Sequence, residues 1–435
     1  MLTSQKSDIP PEKALAEVAE NLRHCTTCGM CTATCPSYLM SNDENDSPRG
    51  RNKIIRDILE SCQPPSEKQV YHLERCLSCF SCSTTCPSGV GYKNLMEWVR
   101  IRIDEDYRRS WLDELQRKVV LGMLPSPALF SAGLKAARLI KPIKSLLPEA
   151  VQPMLELIPK DPTELTIGIG YQIFPAEGNR QYRVSMLAGC AQQVLSPAIN
   201  EATIRLLNRH HCEVVIAHKS ECCGALHDHL GKEKKAQAQA RINVAAWWKE
   251  MERDGLDAII INASGCGTTV KDYGHILKGD PVWGPRAAGV AAIAKDITEF
   301  LMGVDLQPQK VPPLRVAYHS ACSMQHGQKV IQEPELLLKK AGFTVLDVPE
   351  GYLCCGSAGT YNMFQAETAE KLRDRKVRRI KEVNPDLVAG GNIGCIVQLL
   401  EALGIPMVHT VELLDWATGG PKPKILAEVE GIDCE

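Results

Sequence analysis

The sequence predicts an α+β multidomain protein: an α-helical domain built on cysteine-rich loops, followed by a duplicated α/β domain. Three observations predict it. Two cysteine runs near the N-terminus share one spacing, and helical patterns lead into each of them. From Tyr182 onward, short apolar runs alternate with helical patterns, the texture of an α/β sheet. That second stretch repeats internally around two Cys-Cys-Gly triplets, Cys222-Cys223-Gly224 and Cys354-Cys355-Gly356.

The first run is Cys25-x-x-Cys28-x-x-Cys31-x-x-x-Cys35 followed by Pro36, and the second is Cys76-x-x-Cys79-x-x-Cys82-x-x-x-Cys86 followed by Pro87. This is the ligand spacing of bacterial ferredoxins, written twice. Three thiolates two residues apart wrap one face of an iron–sulfur cube, and closely spaced backbone N–H groups point at its sulfurs. The fourth cysteine cannot bend back to the same cube and ligates the other. The expected assignment is one [4Fe–4S] cluster on Cys25, Cys28, Cys31 and Cys86, and a second on Cys76, Cys79, Cys82 and Cys35. Paired C-x2-C is also zinc spacing, but zinc takes two pairs per ion rather than a triplet plus Cys-Pro. Residues 1–118 therefore read as an α-helical ferredoxin domain.

Within that domain, residues 11–24 have helical spacing with proline at the start and deliver the chain to Cys25. A polar loop, Ser41 to Ser47, precedes Pro48-Arg49-Gly50-Arg51, which opens a helix through about Leu59; a further helix, Glu67 to Glu74, leads into Cys76. Arg49 and Arg51 either offset thiolate and sulfide charge near the clusters or are exposed helix-start arginines. Residues 92–118 read as one or two amphipathic helices with a solvated outer face. The segment 119–180, with six prolines from Pro142 to Pro175, reads as a helical, proline-rich linker.

Composition narrows the function classes. At 435 residues the expectation is about three domains. A formal net charge of −2 without a basic block gives no reason to expect nucleic-acid binding. The polar start MLTSQKSDIPPEKALAEV has no hydrophobic signal region, so the clustered cysteines among the nineteen read as metal ligands in a cytoplasmic protein. The longest charge-free stretch, Val119 to Leu134, is too short for a membrane span and holds Pro125 and Pro127. From Lys135 to Leu147, basic residues interleave with apolar ones. That pattern suits a peripheral contact on the inner face of the cytoplasmic membrane, a partner surface, or a linker buried between domains.

The repeat aligns Arg183-Val184-Ser185-Met186-Leu187-Ala188-Gly189-Cys190 with Arg315-Val316-Ala317-Tyr318-His319-Ser320-Ala321-Cys322. In each half, 31 residues separate that cysteine from the Cys-Cys-Gly triplet. A long helix and an apolar strand ending near a further cysteine follow: Ala258 to Asn262 with Cys266, and Leu387 to Ala389 with Cys395. The halves close on Ile297-Thr298-Glu299-Phe300-Leu301 and Thr410-Val411-Glu412-Leu413-Leu414, setting the repeats at 181–304 and 305–435. The first half carries an excursion, roughly Lys271 to Arg286, expected to be a surface insertion. Strand ends of an open α/β sheet share one edge, so Cys190, Cys222, Cys223 and Cys266 can converge, as can Cys322, Cys354, Cys355 and Cys395. The glycine after each adjacent pair permits the sharp turn that aims both thiols at one point. These two sets are candidate ligands for one or two further iron–sulfur clusters, or are redox-active or inert thiols.

Cys62, Cys212 and Cys434 match no repeat position and read as ordinary thiols. His227, His229, His319 and His326 lie near the cysteines and suit proton relay or charge stabilisation, or are simply surface or core histidines. Gly390-Gly391-Asn392-Ile393-Gly394 does not fit a dinucleotide loop and reads as a turn presenting Cys395. No P-loop, flavin fingerprint, Ser/His/Asp triad or HExxH helix is present, so no catalytic residue is assigned.

Taken together, the twin runs, the SPRGR segment at Ser47 to Arg51 and the two Cys-Cys-Gly repeats resemble the iron–sulfur subunits of glycolate oxidase (glycolate dehydrogenase). CCGALH at Cys222, CCGSAGTYN at Cys354, GNIGC at Gly391 and HTVELLDWA at His409 strengthen the resemblance, which spans nearly the whole chain. The ferredoxin and Cys-Cys-Gly parts are shared with glycerol-3-phosphate dehydrogenase, lactate-utilisation and heterodisulfide reductase subunits. The heterodisulfide-type motif ends in C-x-x-C, whereas Ala263 and Asn392 stand where the extra cysteine would be. The resemblance implies a complex with FAD-binding dehydrogenase subunits, in which flavin oxidises the 2-hydroxy acid and this chain carries electrons to a quinone or other acceptor. The readings it leaves open are another substrate, a catalytic disulfide reductase, and an iron–sulfur sensor or scaffold.

Overall fold

Helices Pro11–Arg23, Pro48–Ser61, Glu67–Glu74 and Tyr92–Asp106 build the N-terminal domain of the computed structural model, which describes residues 11–140, 170–309 and 311–427. Two of these helices start where the sequence supplies a side-chain cap. Ser47 Oγ accepts a hydrogen bond from Gly50 N at 3.0 Å, and Ser66 and Gln69 form a reciprocal capping box. Ile55, Ile58, Leu73, Leu95 and Val99 face inward at helical spacing and pack together with Cys76 and Cys82. The cysteine loops thus lie at the edge of a helical core.

Two sheets follow, the first mixed and the second parallel. The first has the order β1-β3-β2-β4-β5, with β1 (Gln172–Phe174), β2 (Tyr182–Met186), β3 (Cys212–Ile216), β4 (Ala258–Ile261) and β5 (Ala294–Asp296). The second has the order β7-β6-β8-β9, with β6 (Arg315–His319), β7 (Thr344–Leu346), β8 (Leu387–Gly390) and β9 (Met407–His409). All pairs are parallel except β1 with β3. The repeat seen in the sequence recurs as hydrogen bonding. Asp257 accepts from Arg183 N at 2.7 Å and its own N–H donates to Arg183 O; Asp386 does the same with Arg315, accepting at 2.6 Å. The closing runs are also equivalent, each a first helical turn with a capping box, Asp296 with Glu299 and His409 with Glu412.

Both repeats contribute to one buried apolar cluster that includes Val184, Ile260, Val316, Val388 and Leu414. Asp415, buried at 1% exposure, joins them further by accepting from Arg205 at 2.7 Å and Arg209 at 3.0 Å. Two expectations need correction. The excursion after Cys266 is not a surface insertion: Tyr273 is fully buried, stacks on Trp247 and donates to Cys223 O at 2.9 Å. Its apolar residues fill space beside the first Cys-Cys-Gly loop, which the polar Lys271-Asp272 start conceals. Gln172–Phe174, on the linker side of the expected boundary, is an antiparallel edge strand on β3. Three residues are too few to show a strand period. The rest of the expected linker includes helix Pro127–Ile140, and residues 141–169 lie outside the described residues.

Candidate metal centres

The N-terminal cysteines line two neighbouring cavities. Cys25, Cys28, Cys31 and Cys86 line one. Cys35, Cys76, Cys79 and Cys82 line another, and Cys82 borders both. The fourth cysteine of each run therefore stands with the triplet of the other run. Thr34 and Thr85, one residue before each Cys-Pro, lie 3.1 Å apart through their hydroxyls and tie the two loops together. Four sulfurs around an open space, with no side chain filling it, fit an iron–sulfur cube.

The electrostatics favour anionic groups there. Arg51 is 1% exposed; it donates to Ser37 Oγ at 2.9 Å and to His72 O at 2.8 Å, and its Nη1 lies 4.0 Å from Cys35 Sγ. Asp46 holds this cation from the other side and accepts from Arg75 at 3.0 Å. Arg49 instead makes a partly exposed pair with Glu44. Burial pushes the Cys31 thiol up to about 11 and the Cys79 and Cys82 thiols well above their ordinary value. Bound cationic metal reverses that bias, because ligation requires thiolates.

In the first repeat, Cys190, Cys222, Cys223 and Cys266 come together at the ends of β2 and β4 and the loop after β3. Cys222 neighbours both Cys190 and Cys223, which hold its pKa down, while Cys223 also neighbours Cys266. Gly224 and Gly356 turn the two loops at φ +91° and +92°; at Gly356 a Cβ would fall 2.5 Å from Ala369 O. Asn243 braces the first loop, accepting from Glu221 N at 2.8 Å and donating to Cys222 O at 3.1 Å.

In the second repeat, Cys322 Sγ and Cys354 Sγ are 3.7 Å apart, Gly356 N donates to Cys354 Sγ at 3.5 Å, and Asn392 Nδ2 donates to Cys395 Sγ at 3.4 Å. Donor atoms of His319, Cys355 and Cys395 all lie within 4.8 Å of one another. Lys376, 1% exposed, donates to Glu350 O at 2.8 Å and faces the four thiols; burial holds its ammonium pKa down. Sequence reasoning passed over Lys376, although it interrupts the apolar stripe Leu372–Lys376–Ile380 at helical spacing.

The other candidates scatter. His227 bonds Gln239 at 2.8 Å near Cys222, whereas His326 bridges Thr84 at 2.9 Å and Tyr352 O, tying the domains together rather than facing the thiols. His229, its side chain a third exposed, lines a cavity with Arg100 and Ser78 between the domains. Cys62 is an exposed helix cap and Cys212 is buried within β3; Cys434 lies outside the described residues.

The N-terminal domain meets the second repeat directly. Cys79 and Cys354 share one buried cluster with Leu77, Leu353 and Tyr361, with Cys322 packed against it, and Tyr361 OH donates to Arg75 O at 3.2 Å. The two repeats meet at their strand ends, where Ser264 N donates to Gly391 O at 3.1 Å and the Ser264 and Ser323 hydroxyls lie 2.7 Å apart.

This layout defines an iron–sulfur protein that joins a dicluster domain to paired cysteine-rich domains. The family model described as a 4Fe-4S dicluster domain matches residues 21–90, and that of a cysteine-rich domain matches 184–271 and again 316–400. The chain is 37% identical to the glycolate oxidase iron–sulfur subunit of Escherichia coli, over 96% of this chain and 99% of that one. It is 31% identical to a probable glycolate oxidase iron–sulfur subunit of Bacillus subtilis over 92% and 94% of the two chains. Lactate utilization protein A of Geobacillus thermodenitrificans is 29% identical over 54% of this chain and 98% of its own. The chain belongs to the family of glycolate oxidase iron–sulfur subunits. A hypothetical protein from Helicobacter pylori shares the fold at a TM-score of 0.53 and 9% identity, over 97% of this chain and 74% of that one.

Proposed function

We propose that this chain is the electron-transfer subunit of a flavin-dependent 2-hydroxy acid (glycolate) dehydrogenase complex, taking electrons from FAD in a partner subunit to a quinone-type acceptor. In this reading Cys25, Cys28, Cys31 and Cys86 hold one [4Fe–4S] cluster and Cys35, Cys76, Cys79 and Cys82 a second. The Cys-Cys-Gly sets hold one or two more. Bound clusters supply one-electron transfer. The chain's own residues hold them, exclude water and set the local charge.

One observation carries the reading: Cys79 of the dicluster domain packs against Cys322 and Cys354 within a single buried cluster. Two cysteine sites that share one buried apolar cluster suit a relay. The apolar side chains of Trp111, Leu115, Val119, Leu129 and Leu139 stand exposed on helices Trp111–Met123 and Pro127–Ile140 and support a peripheral contact of this face with a membrane or partner subunit. Among the described residues no helix is long and apolar enough to cross a membrane.

Cys79→Ser in the assembled complex tests the reading. Substrate should still bleach the flavin of the partner, while reduction of the acceptor is abolished. Acceptor reduction at the wild-type rate would contradict a relay through this site.

A further inference from the structure

We infer that His319 is a nitrogen ligand to the metal centre of the second Cys-Cys-Gly site, so that this site is a mixed thiolate–imidazole centre while its counterpart is held by sulfur alone. The inference rests on the proposed relay reading, which fills that site with an iron–sulfur centre.

His319 ends β6 and is 2% exposed, yet neither Nδ1 nor Nε2 has a hydrogen-bond partner. A buried imidazole with both nitrogens unpaired is rare, because water lost on burial is normally replaced by a protein partner. Its neighbours show what replaces it here. A ring nitrogen lies within 4.8 Å of the sulfurs of Cys355 and Cys395. Across the sheet its partner is Gly390, where a Cβ would fall 3.8 Å from the ring carbon Cδ2 and 3.2 Å from Met407 Cε. The same Cβ position would lie 3.6 Å from His319 O, and the Cys355 and Cys395 thiols are the metal-ligating groups grouped with the ring nitrogen. Neutral imidazole and thiolate together suit iron bound to sulfide and cysteine.

The first repeat supplies an internal control. The matched Asp257–Arg183 and Asp386–Arg315 bonds set the register, which places Leu187 at the position of His319. Leu187 is equally buried and packs with Cys223 in an apolar cluster. A second difference points the same way. Gly224 lies against Ala236 and Gly356 against Ala369, which sets neutral Asn243 opposite charged Lys376. Imidazole adds no negative charge where a fifth thiolate would, and a nearby cation raises the potential of an iron–sulfur centre. The repeats are therefore two unequal sites, with the second, beside Cys79, the more readily reduced.

Pulsed EPR on the anaerobically purified full-length protein, labelled with ¹⁵N-histidine and reduced stepwise, tests this. One signal should show a histidine nitrogen coupling that changes with the label and disappears in His319→Leu, with the signals of the N-terminal clusters unchanged. His319→Cys should restore the centre without the nitrogen coupling and at a lower potential. The labelled wild-type protein alone decides the matter should the variants fail to fold. A second site filled with iron but lacking any histidine coupling overturns the proposal, as does a coupling that survives in His319→Leu. Zinc in place of iron, lost in Cys355→Ser, also overturns it. A missing coupling alongside a blocked Cys79→Ser relay refutes the histidine ligand alone; an unblocked relay alongside a clear coupling refutes the relay alone.

Discussion

Arg51 reaches from the start of its helix into the space between the two cysteine runs, where Ser37, His72 O, Asp46 and Cys35 surround its guanidinium. From the sequence Arg49 and Arg51 looked alike. Two residues turn a helix by about 200°, so they face opposite ways, and only helical geometry together with the packing of Glu67–Glu74 separates them. Removing Arg51 takes the donor from His72 O and Ser37 Oγ, while Asp46 keeps Arg75. Arg51→Met should therefore destabilise the protein by about 1–3 kcal/mol in chemical denaturation. In whatever fraction folds, a redox titration should show a lower potential for the cluster assigned to Cys35, because a cation that favoured the reduced state is gone. An unchanged potential would show that Arg51 serves packing alone. The cysteines were legible residue by residue because metal ligation demands fixed spacings. Lys376 and Tyr273 were not, since their roles depend on which helix face lies against a loop far away in sequence.

At the scale of elements, the loop leading into Cys354 is pinned to helix Ala366–Glu382 by Glu350. Its carboxylate accepts from Arg375 at 2.8 and 2.6 Å and from Arg379 at 3.2 Å, and its carbonyl accepts from Lys376. Arg375, then Arg379, hold the Glu350 pKa down to about 2, below its ordinary 4.5. The folded state thus favours the ionised carboxylate: the stabilisation is complete above about pH 4.5 and fades as pH falls toward about 2. Solvent screens a partly exposed cluster, so Glu350→Gln should lower stability by roughly 1 kcal/mol at neutral pH. The gap between wild type and variant in urea melts should close near pH 2. A gap that persisted at low pH would assign the effect to shape rather than charge. The long helices and most strands were readable because their periods run over enough residues, whereas β1 is too short and the excursion after Cys266 too mixed in polarity.

Over the whole molecule, the duplication was legible because the same 31-residue interval recurs, and the structure repeats it in strand order and backbone hydrogen bonds. Which repeat faces the dicluster domain was not. That contact joins Cys79 to Cys322 and Cys354, far apart in the chain, and no local pattern marks it. The shared core and the Asp415 ion pairs make the two repeats one packed body. The central claim is that thiolate-bound iron fills the N-terminal octet and extends into the repeats. Iron, sulfide and zinc analysis of anaerobically purified protein tests it most directly. The account predicts at least about eight irons per chain, rising toward about sixteen as the Cys-Cys-Gly sites fill, with sulfide in step. Zinc at the N-terminal cysteines, or no metal there, would contradict it.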